Sequence, residues 1–166
     1  MRYPSDDLTP AERERLAPHV TDLDGPVFAL VNLPETVKGA LFARYSRYPG
    51  TLRRLFLDEF ADSLPAGGRW DGDEGARAAC EWVSNVMTKV LQRPRLAAYL
   101  EQSTRYIAYD APMPGGVYRY YRDPALGPEY EAAMDALFDT YAAALPQVRA
   151  WVDSTFPRAG GRAPWR

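Results

Sequence analysis

The run VFALVNLPETVKGALFARY, residues 27–45, places a short apolar segment directly before an amphipathic one. Residues 27–31 are apolar throughout and follow a turn sequence, a pattern that is typical of a buried strand. Pro34 then opens a segment whose apolar side chains recur at helical spacing, at Val37, Leu41 and Tyr45. A strand followed at once by a helix favours a chain that mixes the two kinds of element.

Outward from this run, four further segments carry helix signals. Thr9-Pro10 and Thr51 are N-cap sequences, each placed before a run with helical periodicity. Apolar side chains also recur every three or four positions from about Glu74 to Leu91, and again from Pro128 onward. This first segment has the most regular pattern in the chain and is predicted to be a long buried helix that runs from about Glu74 until Pro94 interrupts it.

Two segments rich in aromatic and β-branched residues, 105–109 and 117–121, are predicted to be strands. The sequence therefore predicts an α+β fold with several helices packed on a small mixed sheet and a long central helix leading into the polar stretch that follows. We expect a single domain over residues 1–158, incomplete at its C-terminal end, and a flexible tail over 159–166.

The charge balance and the few cysteine and histidine residues exclude several classes of function. Lys and Arg number 20 against 22 Asp and Glu, so no excess of positive charge indicates nucleic acid as a partner. Cys80 is the only cysteine and His19 the only histidine, so one chain supplies no ordinary zinc site, and a reducing cytoplasm fits best. We expect a cytoplasmic protein with no metal and no membrane partner, a buried Cys80, and a solvated His19 at a helix end.

The stretch RPRLAAYLEQSTR, residues 93–105, gathers polar groups where the predicted long helix ends. Three arginines stand near one carboxylate and two hydroxyls: Arg93, Arg95, Arg105, Glu101, Ser103 and Thr104. Guanidinium groups offer paired donors that match phosphate oxygens, and they stay charged at every relevant pH. The stretch is therefore a candidate site for a nucleotide or dinucleotide phosphate. The alternative is a set of solvated helix-end charges, as we also interpret a second basic cluster at Arg44, Arg47, Arg53 and Arg54.

This stretch resembles the signature of the flavin-dependent thymidylate synthases, R-H-R-x-x-S-x-N/S-E/Q-x-S-x-R. The positions that match are Arg93, Arg95, Glu101, Ser103 and Arg105. Upstream, the segment ARYSR, residues 43–47, is similar to part of the early helix of that family. The similarity covers under half of the chain.

The resemblance implies an enzyme that reductively methylates deoxyuridine monophosphate (dUMP) to dTMP, with methylenetetrahydrofolate as carbon donor, FAD as cofactor and NADPH as reductant. It assigns contacts with FAD to Arg93, Arg95 and Glu101, and contacts with dUMP to Arg93, Glu101, Ser103 and Arg105. It implies a homo-oligomer, since the family forms tetramers. No catalytic side chain is expected, because the flavin carries out the hard chemistry and the protein positions the reactants.

The sequence also departs from the family pattern. Pro94, Ala98 and Leu100 occupy the positions of the motif histidine, the first serine and the Asn/Ser residue. The Gly-His-x-Ser segment of the family has no counterpart, which indicates that a block is missing between Asp73 and Cys80, and the family's C-terminal A-Q-x-E-I element is absent. Two alternatives to an active enzyme follow. One is a catalytically silent module that acts in assembly or regulation with a complete paralogue; the other is a degraded gene product that folds only in part.

Overall fold

The computed structural model describes residues 6–64, 77–113 and 115–157, and its class is α+β as predicted. Its helices are α1 (Pro10–Leu16), α2 (Glu35–Tyr45), α3 (Leu52–Leu55), α4 (Asn85–Leu91) and α5 (Gly127–Thr155), and its strands are β1 (Val27–Leu30) and β2 (Arg77–Cys80). The chain divides into two compact units with a boundary between Ile107 and Ala108. The predicted tail, 159–166, lies outside the described residues, and a single domain over 1–158 stays a prediction.

The first unit is built around β1 and β2, which pair antiparallel with Phe28 opposite Ala79. Phe28 and Leu30 are each 2% exposed and point into the core, where helices α2 and α3 contribute Leu41 and Leu52. The strand predicted at 27–31 is confirmed one residue shorter. Burial of these apolar side chains is the main favourable term in the stability of this unit.

The helices α1 and α3 begin at the N-caps that the sequence predicts, Thr9 and Thr51. The Thr9 hydroxyl accepts a hydrogen bond from the Glu12 N–H at 3.3 Å, and the Glu12 carboxylate accepts one from the Thr9 N–H at 2.8 Å. The Thr51 hydroxyl accepts from the Arg54 N–H at 3.1 Å and so caps α3. Each cap satisfies a helix N–H that has no partner within the helix, a gain of about 1 kcal/mol.

An arginine lies at the centre of the first unit. Arg53 is only 5% exposed, and its guanidinium lies 3.6 Å from the carboxylate of Glu81, itself 4% exposed. Arg53 also donates to the carbonyl oxygens of Asp22, at 3.0 Å, and Gly25, at 2.6 Å, and its guanidinium stands 3.8 Å from the centroid of the Phe28 ring. The interpretation of Arg53 as part of a solvated basic face is therefore wrong.

The partner carboxylate joins three elements. One oxygen of Glu81, Oε1, accepts the Leu52 N–H at 2.7 Å and the Tyr45 hydroxyl at 3.2 Å. These contacts tie the end of β2 to the C-terminal end of α2 and to the first residue of α3. Burying a carboxylate without partners is costly. The Leu52 N–H and the Tyr45 hydroxyl therefore reduce the free-energy cost of burying Glu81.

The sheet is a two-stranded antiparallel pair within the described residues, so the predicted mixed sheet is wrong. The predicted long central helix from about Glu74 to the residue before Pro94 is also wrong, because residues 77–80 form β2 and only residues 85–91 are helical. Two features divide the segment. The backbone of Trp82 takes a positive φ of 58°, and the Ser84 hydroxyl accepts from the Met87 N–H at 3.1 Å and starts a new helix.

The predicted strands at 105–109 and 117–121 are wrong as well, since neither segment is extended in a ladder. In the second segment the aromatic side chains pack on a helix instead of a neighbouring strand. The Tyr118 ring stacks on that of Phe138 in α5 with centroids 4.9 Å apart, and the Tyr120 hydroxyl donates to Asp135 at 2.8 Å. Side-chain contacts with α5 therefore replace strand pairing.

The second unit is dominated by α5, which spans 29 residues, or about 43 Å at the rise of an α-helix. The helix predicted from Pro128 is confirmed, with Pro146 inside it. Arg122 pairs with Glu131 at 3.2 Å and Asp135 at 3.0 Å, which fixes the preceding segment to the first half of the helix. None of the α5 residues is buried.

Replacing Glu81 tests how much the buried Arg53–Glu81 pair contributes to the stability of the first unit. We expect Glu81→Ala to lower the free energy of unfolding by about 3–5 kcal/mol, because it leaves the Arg53 charge buried and unpaired. Glu59→Ala, which removes the exposed pair with Arg44, is the control and costs about 1 kcal/mol or less. Urea denaturation measures both, and similar losses for the two variants would contradict the central role of the pair.

The same carboxyl predicts a pH dependence of stability. Burial raises the pKa of Glu81 above its usual value, against the opposing effects of the Leu52 N–H and Arg53. Between the unfolded and folded pKa the native state binds a proton that the unfolded chain lacks, so this contribution to stability falls as pH rises. Glu81→Gln removes that titration. The difference in unfolding free energy between wild type and variant should decline with pH across this interval, and parallel curves would refute the assignment.

Candidate functional site

A loop of eight residues, 93–100, follows α4 and is closed at its base by Glu101. The Glu101 carboxylate accepts from Gln92 Nε2 at 3.1 Å and from the Thr88 hydroxyl at 3.1 Å, and it lies 3.4 Å from Lys89 Nζ. The hydrogen bond from Gln92 lowers the pKa of Glu101, with smaller contributions from Thr88 and Lys89. We call residues 93–100 the arginine loop.

The arginine loop presents its charges to solvent. Arg93 and Arg95 are both exposed, and the Tyr99 hydroxyl donates to the Pro94 carbonyl at 3.2 Å across the loop. Leu96 is fully exposed. The loop therefore offers an open surface for a ligand.

The segment after the loop packs against the segment that follows α2. The Ser103 N–H donates to the Ser46 carbonyl at 3.2 Å, and Gln102 Nε2 donates to the Tyr48 carbonyl at 2.6 Å. The two stretches that carry the family resemblance, 43–47 and 93–105, are more than 45 residues apart in sequence, yet the structure brings them into direct contact.

Two guanidinium groups share one aromatic ring at this contact. Arg47 lies 5.0 Å and Arg105 lies 5.9 Å from the centroid of the Tyr106 ring. Their guanidinium carbons are therefore at most about 11 Å apart, since both distances end at one ring. Ser103 contributes its hydroxyl beside them and accepts from the Arg105 N–H at 3.3 Å.

These arginines differ from the others of the first unit in their lack of acidic partners. Arg44 pairs with Glu59 at 2.8 Å, and Arg54 pairs with Glu12 at 2.7 Å. In contrast, no carboxylate of the described residues lies within 4.0 Å of four exposed arginines: Arg47, Arg93, Arg95 and Arg105. Two uncompensated guanidinium groups that share one ring, those of Arg47 and Arg105, favour the binding of an anion. The sequence places Arg47 in the ARYSR segment and in the second basic cluster, but no local signal indicated that it would lie beside Tyr106.

Other reactive groups stand apart from this surface. His19 is half-buried, with its ring 5.3 Å from that of Phe56 and its Nδ1 3.1 Å from the Asn32 carbonyl oxygen, so the expected solvated position is wrong. Cys80 is exposed at the end of β2 opposite Val27, so the expected burial is also wrong. Among the residues that the structure describes, no group of three His, Cys, Asp or Glu side chains is placed to hold a metal, and no helix is long and apolar enough to cross a bilayer.

This chain thus combines an α+β fold with four exposed arginines that have no carboxylate partner among the described residues. It is 38% identical to a UPF0159 protein of Chlamydia muridarum, over 92% of this chain and 35% of the relative. It is 37% identical to one of Chlamydia pneumoniae, with the same coverage, and 32% identical to UPF0159 protein Ta1429 of Thermoplasma acidophilum, over 72% of this chain and 28% of the relative. No family model and no solved structure matches the chain.

The chain spans about a third of the length of the curated relatives it matches. The match with the Chlamydia muridarum protein extends over 189 positions, whereas 92% of 166 residues is about 153. About 36 of the aligned positions therefore have no residue in this chain. This comparison fits the expectation that a block is missing, without locating it.

Removing the Glu101 carboxylate tests how the arginine loop is held. Glu101→Ala deletes all three contacts at the base of the loop, so we expect several-fold faster tryptic cleavage after Arg95 under native conditions. The Arg93–Pro94 bond resists trypsin because proline follows it. Glu129→Ala, in the first turn of α5, is the control. Limited proteolysis with mass spectrometry measures the rate, and an unchanged rate would show that Glu101 does not hold the loop.

Proposed function

We propose that this chain is a homologue of the flavin-dependent thymidylate synthases and binds dUMP and FAD through the arginine loop and the segment 101–106 that follows it. The activity in this proposal is the reductive methylation of dUMP to dTMP with methylenetetrahydrofolate and NADPH. The observation that carries it is the contact between segments 43–47 and 101–106, which brings Arg47 and Arg105 to Tyr106 with no carboxylate partner in the part of the chain that the structure describes. A phosphorylated ligand would relieve the repulsion between these like charges.

The residues of the arginine loop fit the cofactor. FAD contains a pyrophosphate, whose oxygens match the paired donors of exposed guanidinium groups such as those of Arg93 and Arg95. In the proposal these two side chains hold the cofactor, and Glu101 sets the position of the loop. When bound, FAD supplies the hydride chemistry and NADPH restores its reduced form. The protein contributes binding and orientation.

The residues after the loop fit the substrate. In the proposal the phosphate of dUMP binds to the guanidinium of Arg105 and the hydroxyl of Ser103, and Arg93 and Glu101 contact the rest of the nucleotide. The closeness of Ser103 to the Arg105 backbone supports a shared role for these two side chains. The proposal includes self-association and a cytoplasmic location, and it includes neither nucleic acid nor a metal ion as a partner.

One observation favours the silent-module alternative. Three donors, on Thr88, Lys89 and Gln92, already occupy the Glu101 carboxylate. Together with Pro94 in place of the motif histidine, this leaves fewer free polar groups for positioning reactants than the family signature supplies. In this version the chain binds nucleotides without turnover and acts beside a complete paralogue.

Ligand titration of the purified chain tests the proposal. We expect FAD to give a yellow, protein-bound fraction and dUMP to bind in calorimetry. Arg105→Ala should weaken dUMP and Arg95→Ala should weaken FAD, each by roughly 10–150-fold, because each loses a charge-assisted contact of about 1.5–3 kcal/mol. Arg149→Ala, an exposed arginine on α5, is the matched control and should change neither.

The outcomes separate the candidates. Binding with formation of dTMP supports the enzyme, and binding without product supports the silent module. Failure of a correctly folded chain to bind either ligand would reject both.

A further inference from the structure

Helix α4 and the arginine loop expose many large apolar side chains to solvent. None of the α4 residues is buried, and Val86 and Val90 are 76% and 56% exposed. In the loop Leu96 is fully exposed and Leu100 is 52% exposed. A contiguous set of exposed apolar side chains in one short segment indicates a surface that binds a partner. We call the exposed side chains of residues 86–100 the apolar–basic surface.

The same segment is rich in positive charge. Residues 82–107 contain four basic residues and one acidic residue, in a chain whose net charge is -2. The acidic residue is Glu101, whose carboxylate accepts from Gln92 and lies 3.4 Å from Lys89 Nζ. The other basic residues are exposed and have no carboxylate partner within 4.0 Å among the described residues: Arg93, Arg95 and Arg105. The apolar–basic surface therefore complements a partner that is both anionic and apolar.

The arginine loop projects from the end of α4. Its base is closed by Glu101, and the Tyr99 hydroxyl donates to the Pro94 carbonyl across the loop at 3.2 Å, so its two ends stay close together. All eight residues of the loop are exposed. Leu96 lies near the middle of the loop, after Arg95 and before two alanines. The loop thus holds an aliphatic tip in solvent with guanidinium groups beside it.

This shape and this charge indicate which partner fits. A protruding leucine needs a matching pocket on a protein partner, whereas the fluid interface of a bilayer accepts an apolar side chain of any outline. Guanidinium groups beside the tip match the phosphates of anionic lipids. Nucleic acid fits less well, because bases stack on aromatic side chains and the tip is aliphatic. The observations therefore favour the surface of an anionic membrane.

We propose that the arginine loop inserts Leu96 into the interface of an anionic lipid bilayer while Arg93 and Arg95 bind lipid phosphates. The expectation of no membrane partner came from the lack of a segment long enough to span a bilayer. Contact with the surface needs no span, only apolar side chains beside cations. Because one loop supplies all the contacts, the binding is weak and reversible.

The inference does not depend on the proposed function. Arg93 and Arg95 are the side chains that hold FAD in that proposal, so lipid phosphates and the FAD pyrophosphate would compete for them. Vesicles without any nucleotide test the membrane contact alone. The titrations with FAD and dUMP contain no lipid, so each proposal can fail while the other stands.

Vesicle co-sedimentation of the full chain tests the contact. We expect binding to phosphatidylcholine vesicles that contain phosphatidylserine, little binding to phosphatidylcholine alone, and weaker binding as salt is raised. Leu96→Ser should weaken binding about 10-fold or more, because the inserted leucine loses its apolar burial. Arg95→Gln should weaken it about fivefold, through the loss of one cation at the anionic surface. Leu126→Ser and Arg149→Gln, at exposed positions of the second unit, are the matched controls and should bind like wild type.

A fluorophore at position 96 reports insertion directly. With Cys80→Ser to remove the native exposed thiol, Leu96→Cys labelled with an environment-sensitive dye should shift to the blue on vesicles. Lipids with nitroxide-labelled chains should quench it, and a label at Leu126→Cys should show neither effect. Circular dichroism checks that each variant keeps its fold.

Three outcomes would overturn the proposal. The first is that a folded wild-type chain does not bind the anionic vesicles, and the second is that Leu96→Ser binds them as well as wild type. The third is binding to polyglutamate with no binding to vesicles, which would assign the surface to an acidic protein partner instead.

Discussion

The ion pair between Arg53 and Glu81 is the constraint on which the first unit depends. Desolvating two charges is unfavourable, and backbone carbonyls, a backbone N–H and a tyrosine hydroxyl offset part of that cost, while Glu81 Oε2 has only the Arg53 guanidinium at 3.6 Å and no hydrogen bond. To reach Arg53, the chain must run extended through β2 and then turn sharply at Trp82. The start of α4, and with it the position of the arginine loop, follows from that turn.

Local signals predicted much of this fold. The strand at 27–30 and the capped starts of α1 and α3 depend on neighbouring residues, so they could be identified from the sequence. The helix predicted from about Glu74 up to Pro94 could not be corrected in that way, because the observed strand depends on β1 and on Arg53, which are both distant in sequence. The strand predicted at 117–121 was wrong for the same reason, because the side chains of this segment pack on a face of α5.

The candidate site, too, could be predicted only in part from the sequence. Chemistry alone indicated Arg93, Arg95 and Arg105 as phosphate-binding groups. Whether an arginine is available depends on its distance from carboxylates, and Arg54 pairs with Glu12 across 42 residues. No local feature separates Arg44, which pairs with Glu59, from Arg47 three positions away, which has no carboxylate partner among the described residues. That distinction arises from the packing of the 101–106 segment against the end of α2.

Pro94 has a consequence for redesign of this surface. Because proline disfavours the helical conformation of the residue before it, Arg93 is kept from joining α4, which ends at Leu91. Restoring a histidine at position 94 would remove that restriction as well as supply an imidazole. The helix would then be free to lengthen and rotate the first arginine about its axis. Recovery of the full signature by mutagenesis is thus a problem of backbone geometry as much as of side-chain chemistry.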